Sequence, residues 1–426
     1  MTLARTSLTI LVTLLATPAL LADVLVVDAA GKGDFTTLSA AVAAAADGDT
    51  ILVHAGVYVE TSAVVIDGKP LSIVANWFDP QFGPSVEIRP GLLVRNLSPN
   101  EFVILENLNL VGATGTTTTA ATAGLTLLNN NSHVRAQACY FTGGDGGSNA
   151  FPHGAPGVDV QNNYSTALTG CRLFGGEGQF SPTIGIVTGK GGAGVALAGG
   201  QVHLSNCLVS GGAGGSDAVG GFGQGGEGGA GVAHTSGTLL LVSTVAHGGE
   251  GGTSFHGGDG GDGLQLGAGG FAWLMAGSGG YGGSGGLSDA GPNGAPGSPI
   301  VDPSGISVNY GGTPHDFDVT SPVREGEGGT LTFGGDFQSS KLVFASLSLH
   351  QLPFPDKQGV LMLAPDLLIG PFALGSGSNQ VVFVVPNLPA ALPAVNVHLQ
   401  AVYIQSAHSV SLSAGRVLTM LDSAYF

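Results

Sequence analysis

The sequence predicts an all-β protein, a right-handed parallel β-helix with an N-terminal capping helix, followed by a small C-terminal β-sandwich. Three observations lead to this prediction. Segments that open with glycine and an apolar residue recur at spacings of 32 to 37 residues. Apolar residues make up 43% of the chain although 75 of its 426 residues are glycine, so a core can form between glycine-rich connections. Short strand-like runs separated by turn residues fill the C-terminal part.

The first 22 residues are typical of an export signal. Arg5 supplies a positive charge, residues 8–15 are apolar, and Ala22 is a small residue at a suitable cleavage point. The apolar run is too short to anchor the chain in a membrane. We therefore expect a secreted protein that begins near Asp23, is extracellular or bound to the cell surface, and has no transmembrane anchor.

The net charge of −17 limits the class of partner. An acidic surface repels nucleic acid and anionic membranes, so nucleic acid is not expected to bind. A polysaccharide or a cell-surface glycan is the partner that we expect. Much of the charge is equally well explained by solubility.

The repeated units carry the fold prediction. Six residues after each glycine that opens a unit comes a residue type that tolerates the left-handed backbone region. This turn ladder consists of Asn130, Asn163, Gly200, Gly237 and Gly269. Units with a strand, a tight turn, a second strand and a long connection stack as a solenoid. Such dense glycine excludes helical repeats.

The cysteines occupy equivalent positions in successive units, four residues before a glycine pair. We expect them to stack as a structural ladder of small buried side chains: Cys139, Cys171 and Cys207. Neighbouring strands lie about 4.8 Å apart, within the Cα range of a disulfide, so the sequence leaves a disulfide open. A metal site has no supporting Cys-x-x-Cys pattern.

Two stretches near the N-terminus resemble a known family. Residues 26–42 (VVDAAGKGDFTTLSAAV) and 48–58 (GDTILVHAGVY) are similar to the N-terminal cap of the pectin lyase-like superfamily, which includes pectin methylesterases. The resemblance implies that a helix within 36–46 plugs the open end of the solenoid. We therefore assign the cap to 23–60, the β-helix to 23–300 with glycine-rich coils over 123–300, and the sandwich to 301–426.

The resemblance implies a search for catalytic residues, because many members act on acidic polysaccharides. The two aspartates and the arginine of pectin methylesterases have no match beyond the cap. Arg135, Arg172 and Lys190 fall at different points of their coils. No catalytic residue is predicted. We expect a non-catalytic protein that presents glycine-rich loops in a surface, matrix or glycan-binding role. A divergent polysaccharide lyase, hydrolase or esterase is the alternative, and an oligomer or filament subunit is a third hypothesis.

Acidic residues suggest two further sites. Asp145 and Glu177 each follow a glycine pair, which predicts an acidic ladder on one loop face; solvated residues that keep the loops soluble explain them equally well. Residues 257–265 fit one copy of a calcium-binding nonapeptide. The calcium ligands would be Glu250, Asp259 and Asp262. Tandem copies would be needed to share the ion, so the other expectation is that no cofactor binds.

Overall fold

The structure is a computed structural model. It describes residues 23–423 except 77, 80–82, 148–149, 181–187, 217–222, 290, 312–314, 335–339, 347–348, 355–358, 364–379, 386, 389–391 and 407–408. The predicted export signal over residues 1–22 lies outside the described residues. Within them, no helix is long and apolar enough to cross a membrane.

The chain begins with the predicted capping helix, α1 (Leu38–Ala44). The side chain of Thr37 accepts a hydrogen bond from the amide of Ala40 and so caps the N-terminus. Leu38 is fully buried and belongs to the same apolar core as Ile51 in the first coils. The helix therefore covers the core that the terminal coil would otherwise expose, as predicted.

Parallel strands then wind into a solenoid of about seven turns with three faces, which confirms the predicted parallel β-helix. A 14-stranded sheet bends to form faces 1 and 2, and an 8-stranded sheet forms face 3. In the middle coils one long strand runs through face 1, the corner and face 2. These long strands are Val158–Thr169, Val195–Ser205, Val232–Val242 and Leu264–Met275.

The remaining strands of the solenoid are short. Face 1 also contains Val64–Asp67, Leu92–Arg95, Leu125–Leu128 and Ile300–Val301. Face 2 also contains Val24–Val27, Thr50–Val53, Leu71–Ala75, Phe102–Glu106, His133–Gln137 and Ser307–Gly311. Face 3 consists of Gly56–Val59, Val86–Arg89, Leu108–Val111, Tyr140–Thr142, Arg172–Phe174, Leu208–Ser210, Val245–His247 and Gly279–Tyr281. Phe78–Asp79 and Gly83–Pro84 form a small ribbon.

The glycine-rich connections between face 3 and face 1 are ordered layers, where the sequence suggested projecting loops. Each connection has an outgoing segment (143–147, 175–179, 211–215, 248–252, 282–286) and a returning segment (151–157, 188–194, 224–231, 257–263, 292–299). Amide groups bond to neighbouring segments: Gly212 donates to the carbonyl of Gly192, and Gly229 donates to that of Gly212, both at 2.8 Å. We call this array the glycine bundle.

A repeat of three residues explains the glycine pattern. The paired glycines are neither helical nor in strands, and none has a positive φ. These features are typical of polyproline-II geometry, which has three residues per turn and no internal hydrogen bonds. Two of every three residues face neighbouring segments, where a Cβ on Gly212 would lie 2.0 Å from the oxygen of Gly176. Only the third position, which faces outward, accepts a side chain.

The last coil ends the bundle with proline. In the preceding returning segment, Gly260 and Gly263 donate their amides to carbonyls of the last one. The equivalent positions of the last segment hold Pro296 and Pro299, which have no amide hydrogen to leave unpaired. Segments 282–286 and 292–299 therefore form a complete final layer.

The C-terminal part is a β-sandwich, as predicted. One sheet contains Phe317–Val319, Gly328–Phe333 and Gln380–Val384. The facing sheet contains Val323–Arg324, Ser340–Ser346, Ala394–Ser406 and Ser409–Leu421. Leu349–Phe354 pairs with Gly359–Leu363. Phe317 and Phe333 from the first sheet share one core with Tyr403 and Leu418 from the second.

Candidate functional site

The described surface contains a shallow cleft of about 260 Å³ where the returning segments of the glycine bundle meet face 1. Its polar side chains come from three successive coils, and a fourth coil contributes Ala295, Pro296 and Gly297. Lys190, Glu227, Asp259 and Asp262 occupy outward third positions of the bundle, and Gln265 extends from the face 1 strand. The repeat of the solenoid thus places one row of polar groups along its axis, with about 4.8 Å between coils.

The cleft contains more negatively charged than positively charged side chains. Lys190 Nζ lies 3.1 Å from Glu227 Oε2, and both side chains are about half exposed, so the pair contributes little to stability. Asp259 Oδ1 accepts a hydrogen bond from the amide of Ala295 at 2.7 Å, and Asp262 Oδ1 accepts one from the amide of Ser298 at 2.8 Å. Three carboxylates therefore face one ammonium group.

The predicted calcium ligands are not assembled. Asp259 and Asp262 lie in a returning segment, whereas Glu250 lies in an outgoing segment and takes no part in the cleft. No group of three or more His, Cys, Asp or Glu side chains among the described residues could hold a metal ion. The physical reason is the three-residue repeat, which turns the third positions of the two layers away from each other.

Asp145 and Glu177 do lie on one layer of the bundle. The amide of Glu177 donates to Asp145 Oδ1 at 2.8 Å, and the amide of Gly146 donates to the carbonyl of Glu177. Asp145 has the same contact that Asp259 and Asp262 have in the returning layer. In all three cases the carboxylate accepts the outward amide of the next coil, so the acidic residues stabilise the bundle.

The cysteines are free and buried, with at most 4% of any side chain exposed. Cys139, Cys171 and Cys207 each donate from Sγ to a carbonyl of the preceding coil. Burial raises the pKa of the Cys171 thiol. The stack continues through Thr244 to Ser278, because the amide of Thr244 bonds to the Ser278 hydroxyl. Met275 lies outside this stack and is in register with Val242.

The turn ladder is displaced by one residue at several coils. Among the asparagines, the left-handed conformation occurs at Asn129 (φ 53°) and Asn162 (φ 52°), each directly before the predicted residue. Asn130 is buried instead: its Oδ1 accepts the amide of Leu97 at 3.0 Å, and its Nδ2 donates to the carbonyl of Val94 at 3.1 Å. Asn163 is also buried.

Among the glycines of the ladder, Gly200 (φ 87°) and Gly237 (φ 102°) are left-handed, as the sequence indicated. In the last unit the positive φ falls on Gly270, and Gly269 pairs with Ser236. Two separate requirements therefore explain why Asn or Gly occurs at these corners. One residue must turn the chain, and its neighbour must fill a buried position.

A buried polar cluster between face 2 and the sandwich had no counterpart in the sequence reasoning. Glu106 and Arg135 stand on the outer side of adjacent strands, and both are almost completely buried. Thr419 Oγ1 donates to Glu106 Oε2 at 2.9 Å, and Arg135 Nη1 lies 3.3 Å from His398 Nδ1. The available signal was one charged residue at an outward position of each strand, Glu106 in FVILE and Arg135 in HVRAQ.

Burial perturbs the titration of this cluster. Loss of solvent raises the pKa of Glu106 to about 7 and lowers the pKa of Arg135 to about 9. Loss of solvent also lowers the pKa of His203 to about 3, and the nearby Arg135 acts in the same direction. His398 has its pKa lowered well below the usual range, first by burial and then by Arg135 and His133. Four titratable groups are thus buried together in the interface between face 2 and the sandwich.

Comparison with known proteins gave structural matches of low identity and low TM-score. No family model and no curated protein matches the chain. Among solved structures, a mutant PL6-family alginate lyase is 16% identical over 68% of this chain and 39% of its own, with a TM-score of 0.27. A pectate lyase is 11% identical over 68% of this chain and 79% of its own, with a TM-score of 0.26. A Geobacillus virus E2 protein is 13% identical over 88% of this chain and 72% of its own, with a TM-score of 0.24.

These matches leave the activity of the chain open. The chain spans about two fifths of the alginate lyase. The chain's own strand pairing shows the parallel β-helix. The proposed function of the chain rests on its own residues.

Proposed function

We propose that the chain is an exported, non-catalytic protein that binds a polysaccharide in the cleft between the glycine bundle and face 1. One observation carries this proposal: the cleft presents a row of polar side chains from successive coils, the arrangement suited to an extended chain with repeating hydroxyl groups. Gln265 supplies both a donor and acceptors, and the carboxylates of Asp259 and Asp262 supply acceptors. A surface or matrix role is consistent with such binding.

The charge of the cleft limits the class of polysaccharide that can bind. Three carboxylates and one paired ammonium group repel a polyanionic chain. A neutral polysaccharide, or one with basic groups, is therefore expected to bind better than a polyuronate. Added salt should weaken the binding of a basic chain and leave that of a neutral chain almost unchanged.

Affinity measurements with matched variants test the proposal. The chain from Asp23 would be titrated with neutral, basic and acidic polysaccharides. Gln265→Ala should weaken binding about fivefold, because a lost hydrogen bond costs about 1 kcal/mol and every 1.4 kcal/mol is a factor of about ten. Asp259→Asn removes charge but keeps the acceptor for the Ala295 amide.

The matched control is Glu250→Gln, which removes one carboxylate from the other layer of the bundle. Its affinity should remain within about twofold of the parent protein. Retention of no polysaccharide, or equal weakening by the control, would overturn the cleft assignment. Export is tested separately by N-terminal sequencing of the natural protein, which should begin near Asp23.

A second candidate function, a divergent polysaccharide-active enzyme, is favoured by one observation. Glu106 and Arg135 bring a carboxylate and a cation to neighbouring coils. The sandwich covers both side chains. New reducing ends or unsaturated products from any polysaccharide would establish this alternative, and their dependence on Glu106→Gln would locate it.

A further inference from the structure

The solenoid and the C-terminal sandwich have separate apolar cores. The solenoid core extends from Val27 to Leu274, and the sandwich core extends from Phe317 to Met420, with no residue in common. Each unit would therefore keep its core if the two moved apart. A small apolar cluster links them at one edge, where Leu421 packs on Val24 and Leu52.

Hydrogen bonds of polar side chains form several of the described contacts between the two units. Asn396 Nδ2 donates to Ser72 Oγ at 2.8 Å. Gln137 forms two bonds with the backbone of Val417, donating to its carbonyl at 3.2 Å and accepting from its amide at 2.9 Å. Polar contacts of this kind are typical of interfaces whose partners separate.

Several buried polar atoms at the centre of the contact between the two units have no hydrogen-bond partner among the described residues. Arg135 is 1% exposed, yet its Nε and Nη2 atoms have no hydrogen-bond partner among the described residues. Hydrogen-bond partners among the described residues are also lacking for both ring nitrogens of His203 and for the hydroxyls of Thr169 and Ser205. A buried polar atom without a partner costs about 1–3 kcal/mol. The described residues therefore leave these polar groups without compensation in the closed arrangement.

The histidines must be neutral in this arrangement. Arginine has only donors, so His398 Nδ1 accepts the bond from Arg135 Nη1 and cannot carry a proton. A protonated His398 would face Arg135 as a second cation, with His133 also near and the ring of Phe102 in edge contact. His203 lies beside the same guanidinium.

Other charged groups reach the cluster from both units. Glu106 attracts Arg135, whereas Arg416 from the sandwich repels it. Arg416 is held in place by the carbonyl of Phe317 at 2.9 Å and by Asp318 at 3.3 Å. Glu106 is the one buried carboxylate of the described cluster.

We propose that the sandwich is a detachable cover on face 2, and that acidification releases it. The two histidines bind protons more readily in the open form, so their contribution to closure is complete above about pH 6.5. The contribution of His203 is lost as the pH falls towards its pKa of about 3, and that of His398 is lost as the pH falls through its own lowered pKa. Glu106 acts oppositely, because its raised pKa favours closure as the pH falls from about 7 to about 4.5. Release should therefore occur mainly below about pH 4.5.

Small-angle scattering and circular dichroism of the full chain test this proposal together. Between pH 7 and pH 3.5 the radius of gyration should increase while the β-sheet spectrum is retained. His398→Gln keeps an acceptor for Arg135 but cannot be protonated, so it should move the scattering transition down by at least half a pH unit. His203→Gln should have the same effect and serves as a second variant if the first does not fold.

The matched control is His153→Gln, which alters an exposed histidine of the glycine bundle. Its transition should coincide with that of the parent protein. The proposal is overturned if the radius of gyration stays constant until the spectrum is lost. It is equally overturned if neither interface variant shifts the transition relative to the control.

Discussion

Replacement of Gly212 by alanine tests whether the glycine bundle is a close-packed structural element. The new Cβ would lie 2.0 Å from the oxygen and 2.6 Å from the carbonyl carbon of Gly176. A carbon and a carbonyl oxygen normally approach to about 3.3 Å. The obstacle is backbone, which cannot rotate away, so one segment must move by more than about 1 Å.

This movement determines how far the free energy of unfolding falls. It breaks two bonds of 2.8 Å, one donated by the amide of Gly212 and one accepted by its carbonyl from Gly229. Their loss costs about 2 kcal/mol, and overpacking adds about 1–3 kcal/mol. Alanine also restricts the unfolded chain, which returns about 1 kcal/mol. The free energy of unfolding should fall by roughly 2–4 kcal/mol.

Native-state hydrogen exchange measures this change where it occurs. A loss of this size corresponds to roughly 30- to 1,000-fold faster exchange at the amides of Gly212 and Gly229. Gly279→Ala is the control, because nothing lies within 4 Å of its added Cβ. Equal protection in the two variants would refute close packing of the bundle.

Three further results are expected. Asn130→Ala should cost about 2–3 kcal/mol in a denaturant titration, because two buried backbone groups lose their partner, whereas exposed Asn131→Ala should cost less than about 0.5 kcal/mol. A thiol reagent should label none of the three stacked cysteines at pH 8 and all three in denaturant; a single labelled thiol would indicate a disulfide. A chelator should leave the melting temperature unchanged within about 1 °C, because backbone amides already engage Asp259 and Asp262. A fall reversed by calcium would contradict that reasoning.

The regular coils were predictable because their signals are local and repeated. A glycine before each face 1 strand, an Asn or Gly near each corner and a cysteine at equal positions all reflect short stretches of backbone that meet the same constraint in every coil. The corner residues also show the limit of this reasoning. Asn129 and Asn130 are the same residue type with opposite roles, and only the backbone conformation shows which one turns the chain.

The sequence by itself determined that the chain forms a capped parallel solenoid with a C-terminal sandwich, because alternating apolar residues and turn residues act within single coils. Tertiary structure alone decided how the distant parts meet. The glycine connections pack as a bundle because segments from neighbouring coils bond to each other, and Glu250 is separated from Asp259 because those layers face apart. Arg135 and His398, which are 263 residues apart, become neighbours only when the sandwich covers face 2.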